Sequence, residues 1–204
     1  MPKVVDHEDR KQRLAEAVWA LTLRDGLEGV TLRKVAAEAG VSMGQVQHYH
    51  SSREELVRDA VKRAVAALNA RIEASIKAVA EREGEDPPGA EVMLRECLYA
   101  MLMRDEEGVR LLQLSVAVLG RAISDPEMAG VLGPSDGELL DFTAGLIVGA
   151  RAERGVEVAG DPRTDADICW AVATGLGVDV ALGMRTHAAA KGVLDYHLAG
   201  VLGR

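Results

Sequence analysis

The stretch from Thr31 to Leu56, TLRKVAAEAGVSMGQVQHYHSSREEL, constrains the fold more than any other part of the chain. Thr31 is an N-cap for a short helix that carries Leu32, Val35, Ala36 and Ala39 on one side. Gly40 closes that helix, because glycine enters the left-handed conformation of a helix end without steric cost. Ser42 then caps a third helix reaching about Tyr49. Ser52, with Glu55 three positions on, forms a capping box that opens a long helix to about Glu83, along Leu56, Val57, Ala60, Val61, Ala64 and Leu68. Two short helices joined by a glycine turn and followed by a long capped helix have helix-turn-helix geometry.

The flanking sequence extends the helical reading. Leu14, Ala17, Val18 and Leu21 recur at helical spacing after the charged segment His7 to Arg13, predicting a first helix that stops near Gly26. Gly84 to Gly89, with Pro87 and Pro88, is the clearest break in the chain. Beyond it the spacing predicts helices at about 90–104, 106–123, 136–154, 164–184 and 188–202, separated by Asp125-Pro126, Gly133-Pro134, Gly155 to Pro162 and Arg185 to His187. With 48% apolar residues the 204-residue chain can bury a substantial core, and only 3% aromatics beside abundant Ala and Leu suits helices. The expectation is an all-α protein: a helix-turn-helix domain at 1–52 and a helical bundle at 53–204, joined by the long fourth helix.

Several function classes are excluded on sequence grounds. No apolar run approaches the roughly 18 residues of a membrane span, and the charged start is unlike a secretory signal, so a cytoplasmic protein with no membrane partner is expected. Cys97 and Cys169 lie inside helical patterns without CxxC or Cys/His ligand spacing and read as buried small hydrophobes in a reducing compartment. His48 and His50, at i and i+2, do not share a helix face, so no metal site is expected. Nucleophile elbow, glycine-rich phosphate loop and HExxH patterns are absent; neither catalysis nor a cofactor is expected.

Net charge is -8, but residues 1–63 hold 11 Lys/Arg against 10 Asp/Glu while the remainder holds 13 against 22. Attraction to phosphate depends on local cations, so the near-neutral N-terminal part remains suited to a DNA duplex and the acidic body would face away. Val41 and Val46 can pack inward, which leaves Gln45, Gln47 and His48 outward, and glutamine suits bidentate contact with adenine.

On Ala36, the Gly40-Val41-Ser42 turn, Gly44, Tyr49 and Ser52-Arg53-Glu54-Glu55-Leu56, the first 63 or so residues resemble the DNA-binding domain of the TetR family. The resemblance implies base-edge contacts from Arg33, Met43, Gln45 and Gln47, and phosphate contacts from Thr31, His48, Tyr49 and Arg53, with Ser42 and Gly44 in the same DNA-facing segment. The sequence departs from the family pattern at Gln47, where Tyr is usual, at His50, where Phe is usual, and at Arg53, where Lys is commoner. His50 needs a polar partner or solvent.

From Met93 to about Leu202 the chain resembles the C-terminal domain of the BetI-like branch, on Leu94-Arg95-Glu96-Cys97-Leu98, Asp105-Glu106-Glu107, Ser124-Asp125-Pro126-Glu127, Thr174-Gly175-Leu176-Gly177 and Val193-Leu194-Asp195. That implies a ligand cavity among the middle helices and a homodimer interface on the last two. Tyr99, Met103, Leu114, Phe142 and Trp170 are the cavity candidates, each more readily read as ordinary core. A quaternary ammonium ligand would need an aromatic cage, which so few aromatics scarcely provide. Small Ala171, Gly175 and Ala181 beside Ile168, Val172, Leu176 and Leu182, with Val193, Leu194, Leu198 and Val201 on the last helix, offer a dimer stripe. Alternatively both stripes are consumed within one monomer.

The expected function is a dimeric repressor that reads a palindromic operator, with half-sites roughly 34 to 36 Å apart, and is released by an unidentified small molecule. Release by a swing of the fourth helix, shifting a population away from operator spacing, is implied by the same resemblance. A helical ligand-binding or adaptor protein that has lost DNA reading is the alternative.

Overall fold

The computed structural model describes residues 3–81, 88–132, 137–157 and 160–203. Among these the chain is helical, without strands: α1 (Lys3–Asp25), a 3-10 turn (Leu27–Gly29), α2 (Leu32–Glu38), α3 (Met43–Tyr49), α4 (Arg53–Ala80), α5 (Ala90–Tyr99), a second 3-10 turn (Ala100–Leu102), α6 (Glu106–Ala122), α7 (Pro126–Leu132), α8 (Gly137–Glu153), α9 (Pro162–Ala181) and α10 (His187–Val201). Pro87 and the Gly133-Pro134 break lie outside the described residues.

Three elements differ from the expected pattern. The charged segment before Leu14 is part of α1 rather than a lead-in to it. Exposed charged residues carry no apolar periodicity, yet they extend a helix freely once its next turns are packed. Residues 126–132, expected as a connection, form α7, whose Asp125 accepts from the Met128 amide at 3.1 Å. The helix expected to run to 104 breaks near Tyr99, and Met103 adopts a φ of 38°. That left-handed backbone turns the chain into α6, and the Met103 side chain then fills the space over Gly108, where an added Cβ would stand 2.7 Å from its Sδ.

The chain forms two compact units. The first comprises Met1–Leu68 with Arg110–Gly133, and the second Asn69–Val109 with Pro134–Arg204, so α4 and α6 contribute to both. In the first unit Leu14, Val18, Leu21, Val35, Val46, Leu56, Val57 and Val61 make a continuous apolar core together with Val118 of α6 and Met128 of α7. Trp19 donates its indole N–H to the Ala60 carbonyl at 2.8 Å, fastening α1 to α4.

In the second unit α8 packs on α5 and α9, and α10 on α9, around Leu94, Leu98, Leu102, Ile147, Leu194 and Leu198. Arg151, only 7% exposed, pairs with Asp165 at 2.6 Å and donates to the Val201 carbonyl at 2.8 Å, satisfying an end of α10 that its own helix leaves open. Cys97 and Cys169 are free and buried, as their helical setting predicts. Burial pushes the Cys97 thiol up to about 12 and the Cys169 thiol up to about 11, away from reactive thiolate.

Candidate functional site

The turn between α2 and α3 is built by local chemistry. Thr31 Oγ1 accepts from the Lys34 amide at 3.2 Å. At the other end of α2, Gly40 takes φ 66°, and the amides of Gly40 and Val41 return to the carbonyls of Ala37 and Ala36 in a Schellman arrangement. Ser42 and Gln45 then form a full capping box: the Gln45 amide donates to Ser42 Oγ at 3.2 Å, and Gln45 Oε1 accepts from the Ser42 amide at 3.1 Å.

Val46 of α3 is buried with no accessible surface, and Tyr49 packs part-buried against the same core. Met43, Gly44, Gln45, Gln47 and His48 are all solvent-facing, as are Thr31, Arg33 and Ser42. The residues expected to meet DNA therefore lie on exposed surface of α3 and around the start of α2. Gln45 has its carbonyl oxygen committed to the cap, which leaves its NH2 as the natural reading group. Gln47 makes no such bond and keeps both donor and acceptor for a base edge.

Tyr49 is half-buried at the end of α3. Its hydroxyl meets His7 Nδ1 at 2.9 Å, and His7 and His48 stand edge-on to its ring at 5.7 and 5.1 Å. The expected capping box at Ser52 is shifted by one residue. Ser52 Oγ accepts from the Glu55 amide at 3.1 Å, but the Glu55 carboxylate takes the amide and hydroxyl of Ser51, both at 2.7 Å. These bonds hold the Glu55 carboxyl below its ordinary range.

Arg53, expected among the phosphate contacts, is committed elsewhere. Its Nε and Nη2 donate to the carbonyls of Val30 and Leu27, each at 2.7 Å, tying the first 3-10 turn to the start of α4. His50 is 3% exposed, and its Nε2 faces Asp59 Oδ2 at 3.2 Å. The polar partner that sequence reasoning required is one turn into α4, invisible to a local pattern.

The second unit holds a cavity of about 480 Å³ lined by Arg71, Ala74, Ser75, Ala78, Glu96, Tyr99, Ala100, Met103, Arg104 and Asp105. Of the five cavity candidates only Tyr99 and Met103 line it. Leu114 is core of the other unit, Phe142 is 44% exposed, and Trp170 donates its indole N–H to Thr143 Oγ1 at 3.0 Å. Sequence reasoning missed the charged lining, because an arginine or glutamate on a helix face reads as solvated surface. Arg71 pairs with Asp105 and, at 3.0 Å, with Glu107, and holds the Asp105 carboxyl down at about 2. The Tyr99 hydroxyl accepts from Lys191 at 2.9 Å and donates to Asp195.

The dimer stripe is corrected at three positions. Leu176, Leu194 and Leu198 are at most 7% exposed inside the second unit, leaving no surface for another copy. The outward apolar residues are Ile168 on α9, Leu182 at its C-cap, and Val193 and Tyr196 on α10, with Ala171 and Gly175 exposed between the former pair. Val193 and Tyr196, three apart, share a face turned away from that of Leu194 and Leu198. Among the described residues no helix is long and apolar enough to cross a membrane, and no cluster of three or more His, Cys, Asp or Glu could hold a metal ion.

A short helix held by a glycine turn on a packed head, with its polar face outward, defines a helix-turn-helix DNA-binding regulator. Residues 14–60 match the TetR family of bacterial regulatory proteins, and residues 90–203 match the C-terminal domain of BetI-type transcriptional repressors. The chain belongs to the TetR family of transcriptional regulators, in the branch with a BetI-type C-terminal domain.

The regulator PksA of Bacillus subtilis (strain 168) is 34% identical over 128 residues, 63% of this chain and 58% of that protein. The regulator BetI of Vibrio parahaemolyticus is 30% identical over 79 residues, 39% of this chain and 40% of its own length. Among solved structures, a transcriptional regulator from Rhodococcus sp. Rha1 aligns with TM-score 0.66 at 28% identity over 94% of this chain and 95% of its own. A TetR regulator from Haloarcula marismortui shares the fold, with TM-score 0.74 at 15% identity over 95% and 98% of the two chains.

Proposed function

We propose that this regulator is a cytoplasmic repressor that reads a palindromic operator as a homodimer and leaves it when a small polar molecule occupies the cavity of the second unit. The observation that carries the reading is the doubly capped, outward-facing α3, with Gln47 free to hydrogen-bond a base edge. Thr31, Arg33, Met43, Gln45, Gln47, His48 and Tyr49 make the DNA contacts. Among the described residues no side-chain hydrogen bond or ion pair holds Arg33 or Gln47.

The outward Ile168, Leu182, Val193 and Tyr196 supply the apolar surface that a second copy would cover. Charged and polar lining at Arg71, Glu96 and Arg104 favours a polar ligand over an apolar one. Ligand effects reach the head through continuous helices: α4 carries Arg71 to Ala78 of the cavity and Leu56 to Val61 of the head core, while α6 follows Met103 to Asp105 and carries Val118. By linkage, a ligand that weakens DNA binding binds DNA-bound protein less tightly by the same factor.

The test is selection from a random duplex library with purified protein at near-physiological salt, followed by sequencing of the bound DNA. Enrichment of a two-fold symmetric sequence, blurred at one position per half-site by Gln47→Ala, is the expected result. No enrichment even at low salt would overturn the DNA-reading function and leave the ligand-binding helical protein in its place.

A further inference from the structure

Beside the end of α3, between α1 and α4, lies a cleft of about 260 Å³ lined by Lys11, Tyr49, His50, Glu55, Arg58, Asp59 and Lys62. Two buried nitrogens on its walls have no hydrogen-bond partner among the described residues: Nδ1 of His50 and Nε of Arg58. Arginine Nε–H can only donate, so this wall calls for an acceptor. Each carboxylate of the cleft has one oxygen already engaged. Glu55 holds Ser51, while Asp59 takes His50 Nε2 at 3.2 Å and Arg63 Nε at 3.1 Å.

The cations are less committed. Among the described residues Lys62, which is exposed, makes no ion pair, and Lys11 reaches only Glu8, at 3.5 Å. Arg58 spends its terminal nitrogens on Glu127 at 2.7 Å and Asp125 at 3.9 Å, next to the start of α7. Three cations and the buried Arg58 Nε–H thus face two partly engaged carboxylates around a space large enough for one tetrahedral anion.

We propose that this cleft binds a phosphate group, supplied by the DNA backbone at the flank of the operator half-site. This rests on the DNA-reading function above, because Tyr49 belongs both to the cleft and to the end of the reading helix. Phosphodiester oxygens only accept. In the complex Arg58 Nε–H and the Lys62 ammonium therefore donate to phosphate beside the His50 ring, whose Nε2 faces Asp59. Asp59, Glu55, Arg58 and Lys62 on α4, Lys11 on α1, and Tyr49 with its neighbours His7 and His48 are the ionisable groups around that ring. The arrangement also gives α7 a say in DNA affinity, since Glu127 competes with the anion for Arg58.

Two measurements on the full chain test this. Inorganic phosphate is titrated while imidazole 15N resonances are followed, with His50 assigned by His50→Phe. The expected result is a saturable shift of the His50 signals, lost in Lys62→Gln, whose exposed position spares the fold. Duplex affinity is then measured against salt, where Lys62→Gln should reduce the slope by about 0.9 per half-site and Glu127→Gln should tighten binding several-fold. A phosphate shift without any duplex binding would uphold the anion site and overturn the operator reading alone. A phosphate shift with an unchanged slope would make free phosphate the occupant and overturn the DNA source. Normal duplex binding with neither effect would overturn the cleft as an anion site and leave the operator reading intact.

Discussion

Arg53 donates to two carbonyls of the Leu27 to Val30 turn at 2.7 Å, with Glu28 and Glu54 standing off its terminal nitrogens at 3.8 and 3.6 Å. Lysine, the commoner residue of the family at this place, lacks the planar fork that reaches both oxygens at once. Arg53→Ala removes two charge-assisted bonds from a position that is 25% exposed, with an expected cost of about 1.5 to 3 kcal/mol. Urea denaturation followed by circular dichroism checks it, and an unchanged midpoint would return Arg53 to the phosphate contacts. His50 teaches the same lesson from the other side. Its need for a partner was legible in the sequence, but Asp59, nine residues on, is one of several polar neighbours, and only the fold selects it.

At the scale of elements, caps and glycine turns were legible because they are local: Thr31, Gly40 and Ser42 act within four residues of themselves. Close approach between helices was not. Gly149 of α8 sits where a Cβ would come within 2.8 Å of the Ala90 Cβ on α5. Alanine is the better helix former by about 1 kcal/mol, but crowding a tight packing costs roughly 1 to 3 kcal/mol. Gly149→Ala should therefore lower the urea midpoint, while Gly120→Ala on α6, where nothing lies within 4 Å of the new Cβ, should raise it. The reverse order would mean that α5 and α8 are not held in contact at that point.

For the whole molecule, acid is the simplest probe of what holds the second unit. Arg71 holds Asp105 at about 2 against an ordinary 3.8, and Arg154 holds Glu91 below its usual range. A carboxyl depressed in the folded state contributes stability that is complete above its unfolded value and lost as pH falls through the folded one. The Asp105 contribution should thus vanish between pH 3.8 and about 2, and because the pair is largely exposed it amounts to about 1 kcal/mol or less. Urea midpoints taken from pH 5 down to 2 should fall in that window and fall less in Arg71→Gln; identical profiles would remove the pair from the account. What the sequence by itself determined is the set of helices with local start and stop signals, the helix-turn-helix among them, since capping and periodicity act over one or two turns. Only the tertiary structure decided that Arg53 fastens a turn, that Leu176, Leu194 and Leu198 face inward, that charged residues line the cavity, and that Val118 and Met128 complete the core of the head. Each depends on contacts between residues far apart in the chain, where a local pattern carries no information about which side of a helix meets which neighbour.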